Sequence, residues 1–422
     1  MKSHFVNGCY CLVDTINKDT LYSAINTDKS NHLVIGYTSG KSSADATVFG
    51  KVVTNTGVMP QSFRLSNNSE HSQSNIYLAL IPQSDDFVAV WDEQTDENEK
   101  NIFIRYYSLS ANGTLQAQQT AQKINSSAGV NVAPRIIYNH ASGLFFITWF
   151  SMLNKSIQMQ YLSFDKATNT FKDASYISEL EDTVDAAFFA EDLNLHASTR
   201  LNLCLTQAEG NDIISVNIDD HSVGFIECYC SNSKIIQTKL LEYQTTAIQK
   251  FATAYDSFNK TLKIVYVLEY ADGEEDGDET GEKTEVFYSD VYGDSISYFP
   301  GKKMMTKIGT DRLELNLTNH KTSFPVIETF TCTTDISDIR FIIAWKTDEN
   351  GISFNEFSSD FTPLTVESNI SSANANASAP SIAVTNNQKG VVFSSTGAET
   401  HTLYQTGILM AVEPLSENSL SK

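Results

Sequence analysis

All three tryptophans of this chain close the same kind of segment: FVAVW ending at Trp91, FFITW at Trp149 and FIIAW at Trp345. The first two stand 58 residues apart and the third follows after 196, about three further steps of similar size. A fixed aromatic at the end of a recurring apolar run marks an internal repeat. Such a repeat constrains architecture before any single residue does.

The recurrent unit is a junction: an alternating strand, a polar turn, then a strongly apolar strand. APRIIYNHASGLFFITW at 133–149 is the clearest copy and APSIAVTNNQKGVVFSS at 379–395 the next. Looser copies are SNIYLALIPQSDDFVAVW, QKFATAYDSFNKTLKIVY, SFPVIETFTCTTDISDIRFIIAW, DAAFFAEDLNLHASTRLNLCL and DTLYSAINTDKSNHLVIGY at 19–37. The apolar strands begin near residues 33, 87, 145, 201, 263, 341 and 391, in steps of 54, 58, 56, 62, 78 and 50. A second alternating strand follows each, such as NIFIRYYSLS at 101–110 and SIQMQYLSF at 156–164, then a weaker third. Helical periodicity is nearly absent. Four short antiparallel strands per unit, seven units over, predict an all-β chain: a seven-bladed β-propeller formed by residues 1–422 as one domain.

The ends fit ring closure. The last unit supplies only VVFSS and TLYQTGILMAV, so residues 1–30 are expected to complete it, with an outer strand around GCYCLV and a final one around LYSAIN. Sharing one blade between the termini removes free sheet edges.

Hydrophobic residues make up 41% and charged residues 19%, which suits a globular chain with a substantial core. The net charge is −22, from 51 acidic against 29 basic residues. A surface of that sign repels phosphate backbones and anionic membranes, so nucleic acid is excluded as a partner; a protein or glycan ligand remains, bound by a monomer. No run approaches 18 apolar residues, so membrane insertion is not expected. The start, MKSHFVNGCYCLVDTINKD, lacks the apolar core of a Sec signal, which points to the cytoplasm or to export by another route. Cys9, Cys11, Cys204, Cys228, Cys230 and Cys332 lack metal-site spacing and read as small buried thiols in a reducing compartment. The eight Asn-x-Ser/Thr sequons are near chance for this composition.

In outline the units resemble loosely repeating bacterial propellers, in which an apolar-Trp strand is followed by a strand ending in Asn-Gly, here SLSANGTL at 108–115. Trp91, Trp149 and Trp345, with Tyr37 at the comparable place in the first unit, are the candidate ligand-binding rings. Such rings can wedge one blade against the next or stack on a sugar or peptide at the channel mouth. The longest loop, YADGEEDGDETGEKTEV at 270–286, is similar to the calcium loop of integrin-type propellers, which places Asp272, Glu274, Asp276 and Asp278 as candidate Ca²⁺ ligands. Thr280 and Lys283 depart from calcium-loop patterns at the ninth and twelfth positions. DEQTDENEKN at 92–101 and TDENG at 347–351 are acidic too, so one face of the disc should be negative.

TDENGISF at 347–354 resembles a degenerate Asp-box of sialidase-like propellers. A sialidase would need three converging arginines and a Tyr/Glu pair, whereas Arg105, Arg135 and Arg200 sit in no recognisable motif. No phosphate loop, HExxH zinc motif or G-x-S-x-G elbow occurs. The expectation is therefore a non-catalytic binding or scaffolding propeller. A glycoside hydrolase with carboxylates at the central channel and a calcium-stabilised adhesion propeller are the alternatives.

Overall fold

The structure is a computed structural model. It describes residues 9–15, 22–26, 30, 32–39, 45–54, 57–58, 62–67, 71–81, 83–118, 120–126, 128–154, 156–180, 203–219, 222–229, 234–242, 247–272, 286–298, 306–315, 322–331, 339–347, 351–369, 375–377, 380–384, 388–397 and 407–414. Among these no helix occurs, and therefore none long and apolar enough to cross a membrane.

The first strand, β1 (Cys9–Thr15), belongs to the last sheet. Sheet one follows as β2 (Tyr22–Asn26), β3 (Leu33–Ser39) and β4 (Thr47–Thr54), with β5 (Gly57–Val58) and β6 (Phe63–Arg64) as a split outer edge. Sheet two is β7 (Gln73–Leu80), β8 (Phe87–Asp96) and β9 (Glu99–Leu109), edged by β10 (Leu115–Ala117) and β11 (Gln122–Lys123). Sheet three is β12 (Asn131–Asn139), β13 (Leu144–Ser151), β14 (Ser156–Asp165) and β15 (Thr170–Leu180). Sheet four is β16 (Leu203–Ala208), β17 (Asn211–Asp219), β18 (Ser222–Tyr229) and β19 (Lys234–Glu242). Sheet five is β20 (Ala247–Asp256), β21 (Thr261–Asp272), β22 (Val286–Ser297) and β23 (Thr306–Glu314). Sheet six is β24 (Thr322–Thr331), β25 (Ile339–Thr347), β26 (Ile352–Phe357) and β27 (Ser368–Asn369). The last holds β28 (Ala375–Ala377), β29 (Ser381–Val384), β30 (Gln388–Gly397) and β31 (Gly407–Pro414), with β1 on its outer edge.

Innermost strands touch in sequence around a closed circuit: β2 meets β7, β7 meets β12, and so on through β16, β20, β24 and β29, which returns to β2. The circuit explains why second strands are apolar on both faces. In β8, Phe87, Ala89 and Trp91 pack toward Val34, Ile76 and Leu78, while Val88 and Val90 pack toward Phe145, Ile147 and Trp149. A strand enclosed by neighbours on both sides has no wet face, so the usual alternation disappears.

Two placements differ from expectation. Segment 185–205 was expected to be the fourth junction, with its apolar strand near 201. Instead β16 at Leu203–Ala208 is the innermost strand, and the fully enclosed second strand is β17, with Ile213, Ile214 and Val216 buried. The apolar run of LNLCL outweighs its real position, because both kinds of strand bury side chains. At the start, β1 pairs with β31 from Cys9↔Val412 to Thr15↔Gly407. The segment around LYSAIN does not complete the last sheet. As β2 it pairs with β3, Tyr22↔Tyr37 to Asn26↔Leu33, and opens the first. A short connection to β3 makes that hairpin the local choice.

Candidate functional site

The tryptophans are wedges. Trp91, Trp149, Trp345 and Tyr37 are at most 2% exposed. Each indole faces the preceding sheet: Trp91 packs toward Val34, Trp149 toward Val88 and Trp345 toward Val265. Trp91 Nε1 donates to Glu93 Oε2 at 3.3 Å, whereas the N–H groups of Trp149 and Trp345 find no acceptor among the described residues. Rings so enclosed offer no stacking surface, which favours the wedge over the ligand-binding reading of these four. Of the candidate calcium ligands, Asp272 ends β21 opposite Val286, and Glu274, Asp276 and Asp278 lie outside the described residues. The segment TDENGISF joins β25 to β26, with Thr347 N–H donating to the Gly351 carbonyl at 2.9 Å.

Antiparallel connectivity sends the start of every innermost strand, and every turn between second and third strands, to one end of the disc. Asp96 and Glu97 are exposed in one such turn, between β8 and β9. At that end four innermost strands shift register: between Ser74 and Tyr77 in β7, Val132 and Arg135 in β12, Ile248 and Lys250 in β20, and Ser323 and Val326 in β24. In three of them a non-glycine residue takes a left-handed backbone, Asn75 at φ 53°, Ala133 at 55° and Phe324 at 51°. Asparagine tolerates this region, but alanine and phenylalanine are strained there by about 1–2 kcal/mol each. Pro134 and Pro325 follow two of the three. A residue without an N–H suits the unpaired position of a bulge. Strain of this kind concentrates at functional positions when surrounding contacts enforce it.

The enforcing contact is Asp92, directly after Trp91 and fully buried. Its carboxylate accepts hydrogen bonds from Ser74 Oγ, from Asn75 Nδ2 at 2.6 Å and from the Ala133 N–H at 3.1 Å. Lys100 Nζ lies 2.7 Å away. One carboxylate thereby holds the bulges of β7 and β12 together.

Behind the bulges, side chains from five consecutive innermost strands act on one another: Tyr77, Arg135, Cys204, Lys250 and Glu328. The Arg135 guanidinium carbon stands 4.8 Å from the Tyr77 ring centre, and Lys250 Nζ stands 5.9 Å from that of Phe324. Burial, with the Arg135 charge adding to it, brings Lys250 down to about 8. Glu328 keeps open surface, yet protein surrounds it, and that enclosure pushes its carboxyl up to about 7. Burial also raises the Tyr77 phenol against the opposing pull of Arg135, and lifts Cys204 to about 11. At neutral pH the thiol is therefore protonated and unsuited to nucleophilic attack. The cluster can hold an anion, present a carboxyl as hydrogen-bond donor, and offer aromatic surface.

Sequence reasoning passed over this cluster, treating Arg135 as an arginine outside any motif. The available signal was positional. In APR and FPV, as in NIY, the third residue follows a bulge at the start of an innermost strand.

No protein-family model matches the chain, and no curated protein matches it in sequence. Among solved structures, the polysaccharide lyase Uly1 superposes with a TM-score of 0.51 at 8% identity, covering 96% of this chain and 91% of that one. Trypanosoma rangeli sialidase gives 0.47 at 7% identity over 96% of this chain, which spans 59% of the sialidase's length. The Nup133 β-propeller domain of Vanderwaltozyma polyspora gives 0.47 at 11% identity, covering 95% of this chain and 99% of the domain. At such identities the likeness concerns the fold alone. The circuit of antiparallel sheets makes this an all-β protein of the β-propeller class.

Proposed function

We propose that this protein is a non-catalytic binding propeller that takes a glycan ligand at the end of the disc where its innermost strands are bulged. The observation that supports this most is the convergence of Tyr77 and Arg135, each behind a bulge tied down by Asp92, with Lys250 and Glu328 from the next innermost strands. A few polar groups set among aromatic surface in a concavity are what small-ligand sites require. A sugar fits that mixture, since its hydroxyls take the polar groups and its C–H faces take the rings. Glycoside hydrolysis would ask for a second carboxylate about 5–10 Å from Glu328. Here Glu328 is assigned to positioning.

A glycan array probed with the full chain tests the reading. Tyr77→Ala and Lys250→Gln should each lose binding about tenfold or more with folding retained. Phe258→Ala, an exposed residue in the β20–β21 turn at the opposite end, should bind normally. Binding that survives both channel substitutions, or an array on which the folded protein captures no glycan, rejects the assignment. Release of free sugar from a bound glycan would move the protein to the hydrolases.

A further inference from the structure

We propose that the channel cluster is a carboxylate-binding site whose ligand is an acidic sugar, with one carboxylate on an otherwise neutral, hydroxyl-bearing body. This rests on the binding role above and names its ligand class. The chain carries 51 acidic and 29 basic residues, yet it brings the charges of Arg135 and Lys250 to bear on each other across Cys204. Adjacent like charges repel, and an anion seated between them relieves that repulsion. The planar fork of an arginine matches a carboxylate through two parallel hydrogen bonds, and a lysine adds a point charge. Each cation already has an aromatic ring behind it, Tyr77 for Arg135 and Phe324 for Lys250. Such backing orders the cations before the ligand arrives, which lowers the entropic cost of binding.

The surroundings narrow the ligand further. The same end of the disc exposes Asp96 and Glu97, and the whole chain is strongly negative. A polyanion, whether an acidic peptide or a phosphate chain, meets repulsion along its length. A single carboxylate on a neutral body meets far less. Glu328, whose carboxyl the surrounding protein raises to about 7, can donate to that ligand while it is protonated.

Binding should follow the charges of every group that faces the site: Tyr77 on β7, Arg135 on β12, Cys204 on β16, Lys250 on β20 and Glu328 on β24. Tyr77 and Cys204, both raised by burial, stay neutral across the neutral range. Rising pH first ionises Glu328 near 7, placing a negative charge beside the ligand, and then discharges Lys250 near 8. Both changes weaken carboxylate binding, so affinity falls in two steps as pH rises.

Calorimetric titration of the full chain with glucuronate, glucose, acetate and an oligoglutamate peptide tests this. At about pH 6 glucuronate should bind at least about tenfold more tightly than glucose or acetate. Arg135→Gln and Lys250→Met should each weaken it about tenfold or more while leaving the melting temperature near that of the parent. In Glu328→Gln the first step of the pH profile should vanish and the step near 8 remain. Equal binding of glucose and glucuronate overturns the proposal, as does the absence of any heat with glucuronate, galacturonate or N-acetylneuraminate at about 10 mM. Tighter binding of oligoglutamate would reassign the site to acidic peptides. Loss of neutral-glycan binding on the array in Tyr77→Ala, without glucuronate binding, would leave the binding propeller standing and remove only the acidic ligand. Glucuronate binding without any array signal would do the reverse.

Discussion

Asp212 is a carboxylate sealed between the third and fourth sheets. Its Oδ2 accepts from Tyr161 Oη at 2.6 Å and from Asn139 Nδ2 at 2.8 Å, and Oδ1 has no partner among the described residues. Burial raises its pKa to about 6, and the two hydrogen bonds oppose the rise without cancelling it. The folded protein therefore holds a proton that the unfolded chain has released between about pH 3.8 and pH 6. Stability contributed by this residue is greatest below the unfolded pKa, declines as pH rises through that window, and is flat above it. The loss is on the order of 3 kcal/mol. Asp212→Asn removes the titration. Denaturant unfolding of parent and variant at pH 4 and pH 7 should show their stability difference shifting by that amount in the variant's favour. A difference that stays constant with pH would place the ionisation elsewhere.

The bulged innermost strand is the element on which the proposed site depends, and Asp92 is what makes it a unit. Asp92→Ala would leave Lys100 beside Ser74 without its carboxylate partner and release the Ala133 N–H and the Asn75 amide. Removing one member of a buried pair costs about 3–5 kcal/mol, readable as a lower midpoint in urea. Because Tyr77 and Arg135 each follow a bulge that Asp92 holds, glycan binding should fall even at temperatures where the variant remains folded. Asp92→Asn keeps one acceptor oxygen, which can serve the Ala133 N–H and the Asn75 amide that now share Oδ2, and should recover part of both losses. Much of this element was legible in the sequence as a junction, since AP or FP precedes an alternating run and a Trp closes the next strand. Its chemistry was not. Left-handed φ at Ala133 and Phe324 leaves no compositional mark, because neither residue type favours it. Convergence of Arg135, Lys250 and Glu328, drawn from positions as far apart as 135 and 328, is created by the circuit of sheets and by nothing local. For the tryptophans the sequence left two readings, since a ring at a strand end can stack on a ligand or wedge two sheets, and burial favours the wedge.

At the scale of the whole molecule, the recurring step of roughly 50–60 residues carried the fold, because every sheet must bury a second strand on both faces. The fourth sheet was the one out of phase, where two neighbouring strands are nearly as apolar as each other. Closure is the feature with the clearest consequence. The outer edge of the last sheet is β1, hydrogen-bonded to β31 across six paired positions. A circuit of this kind is only as secure as that pairing, because opening it bares the edge of β31 to other chains. Deleting residues 1–15 should therefore lower the melting temperature by about 5 °C or more and produce concentration-dependent association in light scattering. Supplying a peptide of residues 5–16 should reverse both effects by adding the missing strand back to the exposed edge. A truncated chain that melts at the parent temperature and stays monodisperse would show that the inner circuit from β2 to β29 closes the molecule without β1.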